Sequence, residues 1–330
     1  MKNKRLDILV IHYKEPEEVV KPLLDSIALQ QGVDMDKVGV IIVNDGDDVL
    51  LSDEFLSGYK FDIKYVINKH KGICGTRNRA LDESEAEYVM FCDCDDMFLN
   101  SIAFNILKKH MNKIDEFGNI GFDVLISRFK EECMTDLKES VFMDHFKEDN
   151  TFVHGKVYRR NYLVQNNIRW NEDVITHEDL VFNVVAICST ERVKRIDDVL
   201  YLWKYNKGSI TRRDEDFVFA TADKLIDSYY ELIKDLMERG LIRNAKANTA
   251  NIIYRMYYEM NKKIWLDRPE RSEEIKKYMK EKLGKYIGLF EKASDEDKIK
   301  LLKEITGIFF AEKYLYLKYG FDEWFKEVFE

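Results

Sequence analysis

Short apolar runs rich in β-branched residues alternate with amphipathic segments over the first 215 residues. The apolar runs have the length and composition of buried strands. They are LDILVIHY (6–13), VGVIIVND (38–45), FDIKYVIN (61–68), YVMFCD (88–93) and FDVLIS (122–127). Helices are expected from about Pro16, over Arg77 to Ser84 and over Ile102 to Phe117. This alternation predicts an α/β domain in which helices flank a mostly parallel sheet.

The pattern changes near residue 215, after which the apolar spacing is helical throughout. The segments ATADKLIDSYYELIKDLMERG and TANIIYRMYYEMNKKIW show it most clearly. We therefore expect a first domain over 1–215 and an all-α bundle over 216–330. Tyrosine and tryptophan side chains in the tail could line an acceptor groove, but their helical spacing favours ordinary core packing.

Composition narrows the class of protein. The 330 residues are 45% apolar and 34% charged, which is typical of a globular protein. Asp7 interrupts the first apolar run, and no run approaches the roughly 18 to 20 residues that span a bilayer. The expected location is the cytoplasm, at most peripheral to a membrane. Five scattered cysteines indicate neither a disulfide framework nor a zinc site, and the net charge of -9 disfavours general adhesion to nucleic acid.

Two of the predicted strands end in aspartate, at Asp45 and Asp93. The carboxyl ends of parallel strands meet at one edge of a sheet, where ligands bind, so both carboxylates should lie at that edge. If the chain stays extended after Asp93, alternation places Asp93 and Asp95 on one face and turns Asp96 to the other.

Two interpretations of this acidic cluster remain open. Carboxylates this close repel each other, and a Mg²⁺ or Mn²⁺ ion held jointly with substrate phosphates would relieve the repulsion. Alternatively, Asp95 and Asp96 are solvated residues that cap the following helix. Asp45 is similarly ambiguous, because Asn44-Asp45-Gly46 is an ordinary turn sequence, whereas a carboxylate there could also accept from a nucleotide base.

A third acidic pair, Glu178 and Asp179, stands where an apolar helical pattern begins in VITHEDLVFNVVA. Thr176 followed by Asp179 is close to a capping box, and acids at a helix start are favourable by ~0.3 to 1 kcal/mol. A carboxylate held there could also take a proton from an acceptor hydroxyl. The two roles are compatible.

Taken together and in this order, the segments resemble the family 2 glycosyltransferases from about Leu6 to Arg213. Single motifs of this kind are weak, but an ordered series of six is specific. The similar segments are VIHYKEPEEVVKPLLDSIALQ, VIIVNDGDD, NKHKGICGTRNRAL, YVMFCDCDDMF, the pair HGKVYRRNYL and THEDLVFN, and YLWKYNKGSITR.

The resemblance implies a GT-A fold, a Rossmann-like nucleotide-sugar-binding domain. It also implies transfer of a sugar from a nucleoside diphosphate, UDP first by the family's habits, to a hydroxyl with inversion. A Mn²⁺ or Mg²⁺ ion would assist. The implied donor-binding residues are Tyr13, Asp45, Arg77 and Asp93, the metal ligand is Asp95, and the catalytic base is Asp179.

Further residues have weaker assignments. His154 could complete the metal shell, although structural histidines are commoner than ligands. His177 could contact the acceptor or be an ordinary surface histidine. Contacts with the acceptor or diphosphate are expected from Lys156, Glu178, Trp203 and Arg212. Arg212, with Lys207 and Arg213, would fold over the diphosphate as a lid or form a solvated basic turn. Lys14, Asp47 and Cys94 depart from the family pattern.

Two other functions fit parts of the sequence. A nucleotidyltransferase can use a related sheet and an aspartate pair, and a catalytically silent nucleotide-binding module could keep the fold. The expected acceptor is a glycan or lipid-linked precursor, with a protein or a modified DNA base less favoured. The helical tail could also make a homo-oligomer.

Overall fold

One mixed sheet contains the nine strands found in the residues that the structure describes. The structure is a computed structural model that describes residues 4–114, 118–135, 137–206, 217–291 and 320–330. The strands are β1 (Leu6–His12), β2 (Val38–Asn44), β3 (Asp62–Ile67), β4 (Tyr88–Asp93), β5 (Met97–Phe98), β6 (Val124–Met134), β7 (Ser140–His145), β8 (Lys156–Arg159) and β9 (Val193–Trp203).

The first four long strands are parallel, in the order β3-β2-β1-β4. Every residue of β1 and β2 is buried, as expected for strands covered on both faces. The register pairs His12 with Asn44 and Ile11 with Asp93. Asp45 and Asp93 therefore lie at the same edge of the sheet, as the strand ends predicted.

The rest of the sheet mixes directions. β8 runs antiparallel to both β4 and β6, β6 runs parallel to β9, and β5 and β7 pair antiparallel with β9 and β6. The predicted α/β fold class is confirmed, and its parallel pairs are those among the first four long strands and the pair of β6 and β9. The antiparallel pairings were not predicted, because β5, β7 and β8 are short and lack a continuous apolar run.

Five of the described α-helices belong to the same compact unit as the sheet. They are α1 (Glu17–Ala28), α2 (Asp53–Ser57), α3 (Gly72–Glu83), α4 (Ala103–Met111) and α5 (Arg160–Gln165). In α1, Val20, Leu23, Leu24 and Ile27 recur at helical spacing and are all buried. Their burial against the sheet core is what holds this helix.

The second compact unit contains the remaining helices, and its sequence is discontinuous: 149–151, 173–189 and 207–330. The helices are α6 (Glu178–Cys188), α7 (Phe217–Ala220), α8 (Ala222–Glu238), α9 (Ile242–Met260), α10 (Lys263–Leu266), α11 (Pro269–Leu283), α12 (Ile287–Glu291) and α13 (Phe321–Phe329). Tyr229 and Trp265 are buried, consistent with core packing. The domain boundary predicted near residue 215 falls outside the described residues and stays a prediction.

The helices that the structure describes were compared in length and apolar character with a bilayer span. Not one of them has both the length and the apolar character that crossing a bilayer requires.

Candidate active site

The acidic segment begins where the buried strand β4 ends. β4 is apolar up to Cys92 and stops at Asp93, and the chain then turns at Cys94 and Asp95. The alternation expected for an extended segment therefore does not continue past Asp93. Asp93 and Asp95 keep partial contact with solvent, whereas Asp96 is completely buried.

Asp96 accepts two hydrogen bonds inside the protein. The hydroxyl of Tyr201 donates to Oδ2 over 2.8 Å, and the backbone N–H of Lys204 donates to Oδ1 over 2.9 Å. Burial, followed by the nearby charges of Asp95 and Asp93, raises the pKa of Asp96 well above its usual value. Asp96 thus links β4 to the end of β9.

His154 lies beside this carboxylate. Its Nδ1 is 3.7 Å from Asp96 Oδ2, and its buried ring stacks on Tyr201 at 5.3 Å between centroids. Single ligand atoms of Asp93, Asp96 and His154 all lie within 4.8 Å of one another, which is close enough for one cation. Two carboxylates and an imidazole are a donor set that Mn²⁺ accepts readily, since it tolerates nitrogen beside oxygen ligands.

Asp95 lies in the turn next to this group. The side-chain amide of Asn206 donates to its Oδ2 over 2.8 Å. Burial raises the pKa of Asp95, and the charge of Asp93 raises it further. The grouped ligand atoms thus belong to Asp93, Asp96 and His154, and the predicted ligand Asp95 lies in the adjoining turn, partly exposed.

Helix α3 brings Arg77 to the cluster. The guanidinium of Arg77 is buried, donates to Asp93 Oδ1 over 3.2 Å and lies 4.3 Å above the ring of Trp170. Asn78 holds Trp170 in place, because its side chain donates to the Trp170 carbonyl and accepts from the Trp170 backbone N–H, at 2.8 and 2.9 Å. Sequence reasoning missed Trp170, which is far along the chain from the motif that it supports.

Asp45 anchors the start of α3. Its Oδ1 accepts from the backbone N–H of Lys71 at 2.9 Å and from the hydroxyl of Thr76 at 2.6 Å, while its Oδ2 is 2.9 Å from His70 Nδ1. The carboxylate is buried and therefore fixes the loop between β3 and α3. Asp45 is therefore more than a residue of an ordinary turn, because its side chain holds the start of α3 in place.

Beside Asp45, two flat rings form a small exposed surface. Tyr13 stacks on His70 with centroids 5.2 Å apart and an interplanar angle of 25°. His70 was not identified from the sequence, and only its place in the motif NKHKG could have indicated it. Two departures from the family pattern meet beside these rings, since Lys14 Nζ lies 3.9 Å from Asp47 Oδ2 and its ammonium also lies over the Tyr13 ring.

Glu178 and Asp179 occupy the first turn of α6, in the second compact unit. The helix cap is His177, with a left-handed backbone (φ 59°) and no capping hydrogen bond from its side chain. The capping box expected from Thr176 is thus not formed. Instead, the Thr176 carbonyl accepts from the hydroxyl of Ser228 over 2.7 Å, which ties this segment to α8.

The weaker candidates fall in different places. Lys156 is buried, and its ammonium donates to the backbone carbonyl of Phe152, so the side chain hydrogen-bonds inside the protein. The ring of Trp203 lies 5.1 Å from that of His154, beside the acidic cluster. Arg212, Lys207 and Arg213 lie outside the described residues.

Part of the chain matches a known protein family. The model of "Glycosyl transferase family 2" matches residues 7–132. A glycosyltransferase of Bacillus subtilis, EpsJ, is 26% identical over 219 residues, which are 62% of this chain and 62% of EpsJ. The teichoic acid poly(glycerol phosphate) polymerase of Staphylococcus epidermidis is 28% identical over 248 residues, 70% of this chain and 33% of that protein. The matched part thus spans about a third to two thirds of these relatives.

Solved structures show the same fold. Staphylococcus aureus TarS (1–349) in complex with UDP-GlcNAc has a TM-score of 0.65 at 16% identity, over 97% of this chain and 92% of that one. The mannosyltransferase PcManGT from Pyrobaculum calidifontis, in complex with GDP-Man and Mn²⁺, has a TM-score of 0.51 at 14% identity, over 96% and 89% of the two chains. Residues 7–132 therefore match glycosyl transferase family 2, and the chain has the GT-A type of fold seen in TarS, in agreement with the family and fold that the ordered series of motifs indicated.

Proposed function

We propose that this protein transfers a sugar from a UDP-sugar to a hydroxyl group of an envelope glycan or polyol-phosphate polymer. The observation that carries the proposal is the edge of the sheet where Asp45 and Asp93 lie at the ends of two parallel strands, one on each side of β1, in the part of the chain that matches family 2. UDP is chosen because TarS, of the same fold, was solved with UDP and with UDP-GlcNAc.

The donor nucleotide would bind at this edge. The exposed stacked pair of Tyr13 and His70 offers a flat surface for a base, and buried Asp45 fixes the loop that carries His70. Arg77, held between Trp170 and Asp93, presents a rigid guanidinium for ribose or phosphate oxygens.

A divalent cation fits the acidic segment. Asp93, Asp96 and His154 bring their ligand atoms together, and Asp95 adds a partly exposed carboxylate whose raised pKa reflects crowding of like charges. When bound, the cation supplies Lewis-acid stabilisation of the negative charge that develops on the diphosphate. We assign Asp95 and His154 as ligands within this group.

Asp179 is proposed as the general base. In a single displacement, the acceptor oxygen bonds to the anomeric carbon while the bond from that carbon to the diphosphate breaks, and the configuration inverts. The acceptor proton passes to the Asp179 carboxylate. The Asp179 carboxylate lies in the first turn of α6.

The acceptor class rests on the names of relatives. One polymerises poly(glycerol phosphate), and TarS from S. aureus, 24% identical over 241 residues, adds N-acetylglucosamine to poly(ribitol phosphate). Both act on hydroxyl-bearing phosphate polymers, and a similar polymer is therefore the first acceptor to try.

Release of UDP from a panel of UDP-sugars, with Mn²⁺ and with glycan or polyol-phosphate acceptors, tests the proposal. Asp179→Asn should abolish turnover and leave UDP binding intact, whereas Asp173→Asn, an exposed carboxylate nearby in sequence, should leave both unchanged. Pyrophosphate release from a sugar phosphate and a nucleoside triphosphate would instead identify a nucleotidyltransferase. Binding of UDP without any turnover would favour the silent module.

A further inference from the structure

The hairpin of β6 and β7 presents a cluster of exposed apolar side chains in the first compact unit. It comprises Phe129–Met134 of β6, paired antiparallel with β7. Six large apolar side chains on or beside it are between 38% and 81% exposed. They are Met134, Leu137, Val141, Phe142, Met143 and Phe146.

The outer edge of β7 is open in the part of the chain that the structure describes, because β7 pairs there with β6 alone. Proteins usually protect such edges with charged side chains or proline. The edge strand β3 follows this rule with Asp62 and Lys64. β7 has one acidic residue, Asp144, and it pairs with Arg128 and Lys130 of β6, at 3.2 and 3.9 Å.

The hairpin is poorly suited to a lipid surface. Residues 128–148 contain four lysines and arginines against six aspartates and glutamates, so the segment is acidic and would be repelled by anionic lipid. An open strand edge would also leave backbone N–H and C=O groups unpaired in hydrocarbon, at a cost of several kcal/mol each. A protein strand satisfies the same backbone groups by hydrogen bonding.

We propose that β7 pairs with β7 of a second copy of this chain, joining two sheets across a two-fold axis. The strand is self-complementary in the antiparallel register centred on Phe142. Val141, Phe142 and Met143 then face Met143, Phe142 and Val141 of the second copy. On either side Ser140 faces Asp144, and Glu139 faces His145, so polar groups flank an apolar centre.

The surface available matches what such a dimer needs. With about 150 to 250 Å² for each large apolar side chain, the exposed fractions correspond to roughly 500 to 800 Å² per copy. Burying most of it on both copies approaches the ~1,200 Å² at which stable interfaces begin. We therefore expect a dimer with a micromolar dissociation constant.

Analytical ultracentrifugation of the full chain from about 1 to 100 µM tests the dimer. The wild type should be dimeric at the upper concentrations. Phe142→Lys should be monomeric, since two ammonium groups would face each other, and it should keep its circular dichroism spectrum because Phe142 is 53% exposed. Ile67→Lys changes a 60% exposed residue on β3 and should stay dimeric.

A cross-link reports the register. In a Cys133→Ser background, Phe142→Cys should form an intermolecular disulfide on mild oxidation, because residues directly opposite on antiparallel strands are ~4.5 to 5.5 Å apart at Cα. Ile67→Cys should not. A monomeric wild type at 100 µM, as expected if another protein or another segment of this chain covers β7, would overturn the proposal. So would a dimer that Phe142→Lys leaves intact or that Ile67→Lys dissolves.

Discussion

His177 directly precedes Glu178 and Asp179, and its state should control how this segment tolerates acid. Burial, and the positive charge of Arg255, lower the pKa of His177 to about 3. Its Nε2 has no hydrogen-bond partner within the described residues. The test variant is His177→Asn, because asparagine tolerates the left-handed backbone at this position (φ 59°) and does not titrate.

The sign follows from proton binding in the two states. Unfolded histidine titrates near 6.5, so between pH 6.5 and 3 the unfolded chain binds a proton that the folded protein does not. The free energy of folding that depends on the neutral His177 imidazole is fully present above pH 6.5. It is lost progressively as the pH falls from 6.5 to 3. At pH 5 the loss is about 2 kcal/mol relative to pH 7, at ~1.4 kcal/mol per pH unit below 6.5.

Urea unfolding followed by tryptophan fluorescence at pH 7 and pH 5 measures this effect. The wild type should lose about 2 kcal/mol more than His177→Asn over this interval. His70→Asn removes an imidazole whose side chain is 61% exposed and serves as the matched control. If the wild type and His177→Asn lose the same free energy of unfolding between these pH values, the buried neutral imidazole is refuted.

Three further substitutions test the site and its support. Gly121→Ala should lower the free energy of unfolding by about 2 to 4 kcal/mol. The reason is that φ is +77° at Gly121 and the new Cβ would lie 2.0 Å from the Tyr88 hydroxyl. The control Gly118→Ala places its Cβ in open space and should lower the free energy of unfolding by less. Asp96→Asn should change stability at pH 7 by less than about 1 kcal/mol, since burial already disfavours its charge, yet weaken Mn²⁺ binding at least tenfold in a thermal-shift titration. Arg77→Lys should weaken UDP binding about tenfold by calorimetry, because lysine cannot stack as a planar fork. Unchanged stability of Gly121→Ala would contradict the role of Gly121. Unchanged Mn²⁺ affinity of Asp96→Asn would contradict that of Asp96, and unchanged UDP affinity of Arg77→Lys would contradict that of Arg77.

The local pattern of apolar and polar residues was sufficient to predict the first parallel strands and the residues at which they end. β1 and β2 were predicted with boundaries within one residue, because continuous β-branched runs bounded by polar residues have few other solutions. Helix α3 was predicted to start at Arg77 but starts at Gly72. Its first turn lacks apolar periodicity, and the bond from the Lys71 N–H to Asp45 that fixes its start spans 26 residues.

The supports of the acidic segment could not be predicted in this way. Tyr201 and Asn206 contact Asp96 and Asp95 across more than 100 residues of sequence. Trp170 reaches Asn78 over 92 residues. Such contacts depend on which strands become neighbours, in this sheet β9 beside β5 and β6, and no periodicity encodes that choice. The turn at Cys94 and Asp95 likewise overrides the alternation that an extended chain would show.

Each acid of the segment 93–96 is stabilised by a different partner. Asp93 accepts a hydrogen bond from a guanidinium, and Asp95 accepts one from a neutral side-chain amide. Asp96 accepts hydrogen bonds from a hydroxyl and from a backbone N–H. Only the first of these partners carries a positive charge, and burial together with the neighbouring carboxylates raises the pKa values of Asp95 and Asp96, so the fold disfavours the charged forms of both. Carboxylates with raised pKa values cost stability above pH 4, and a fold keeps such a cost where function uses it. A divalent cation next to Asp95 and Asp96 would remove that cost, which is the physical reason to place it there instead of at the more fully compensated Asp45.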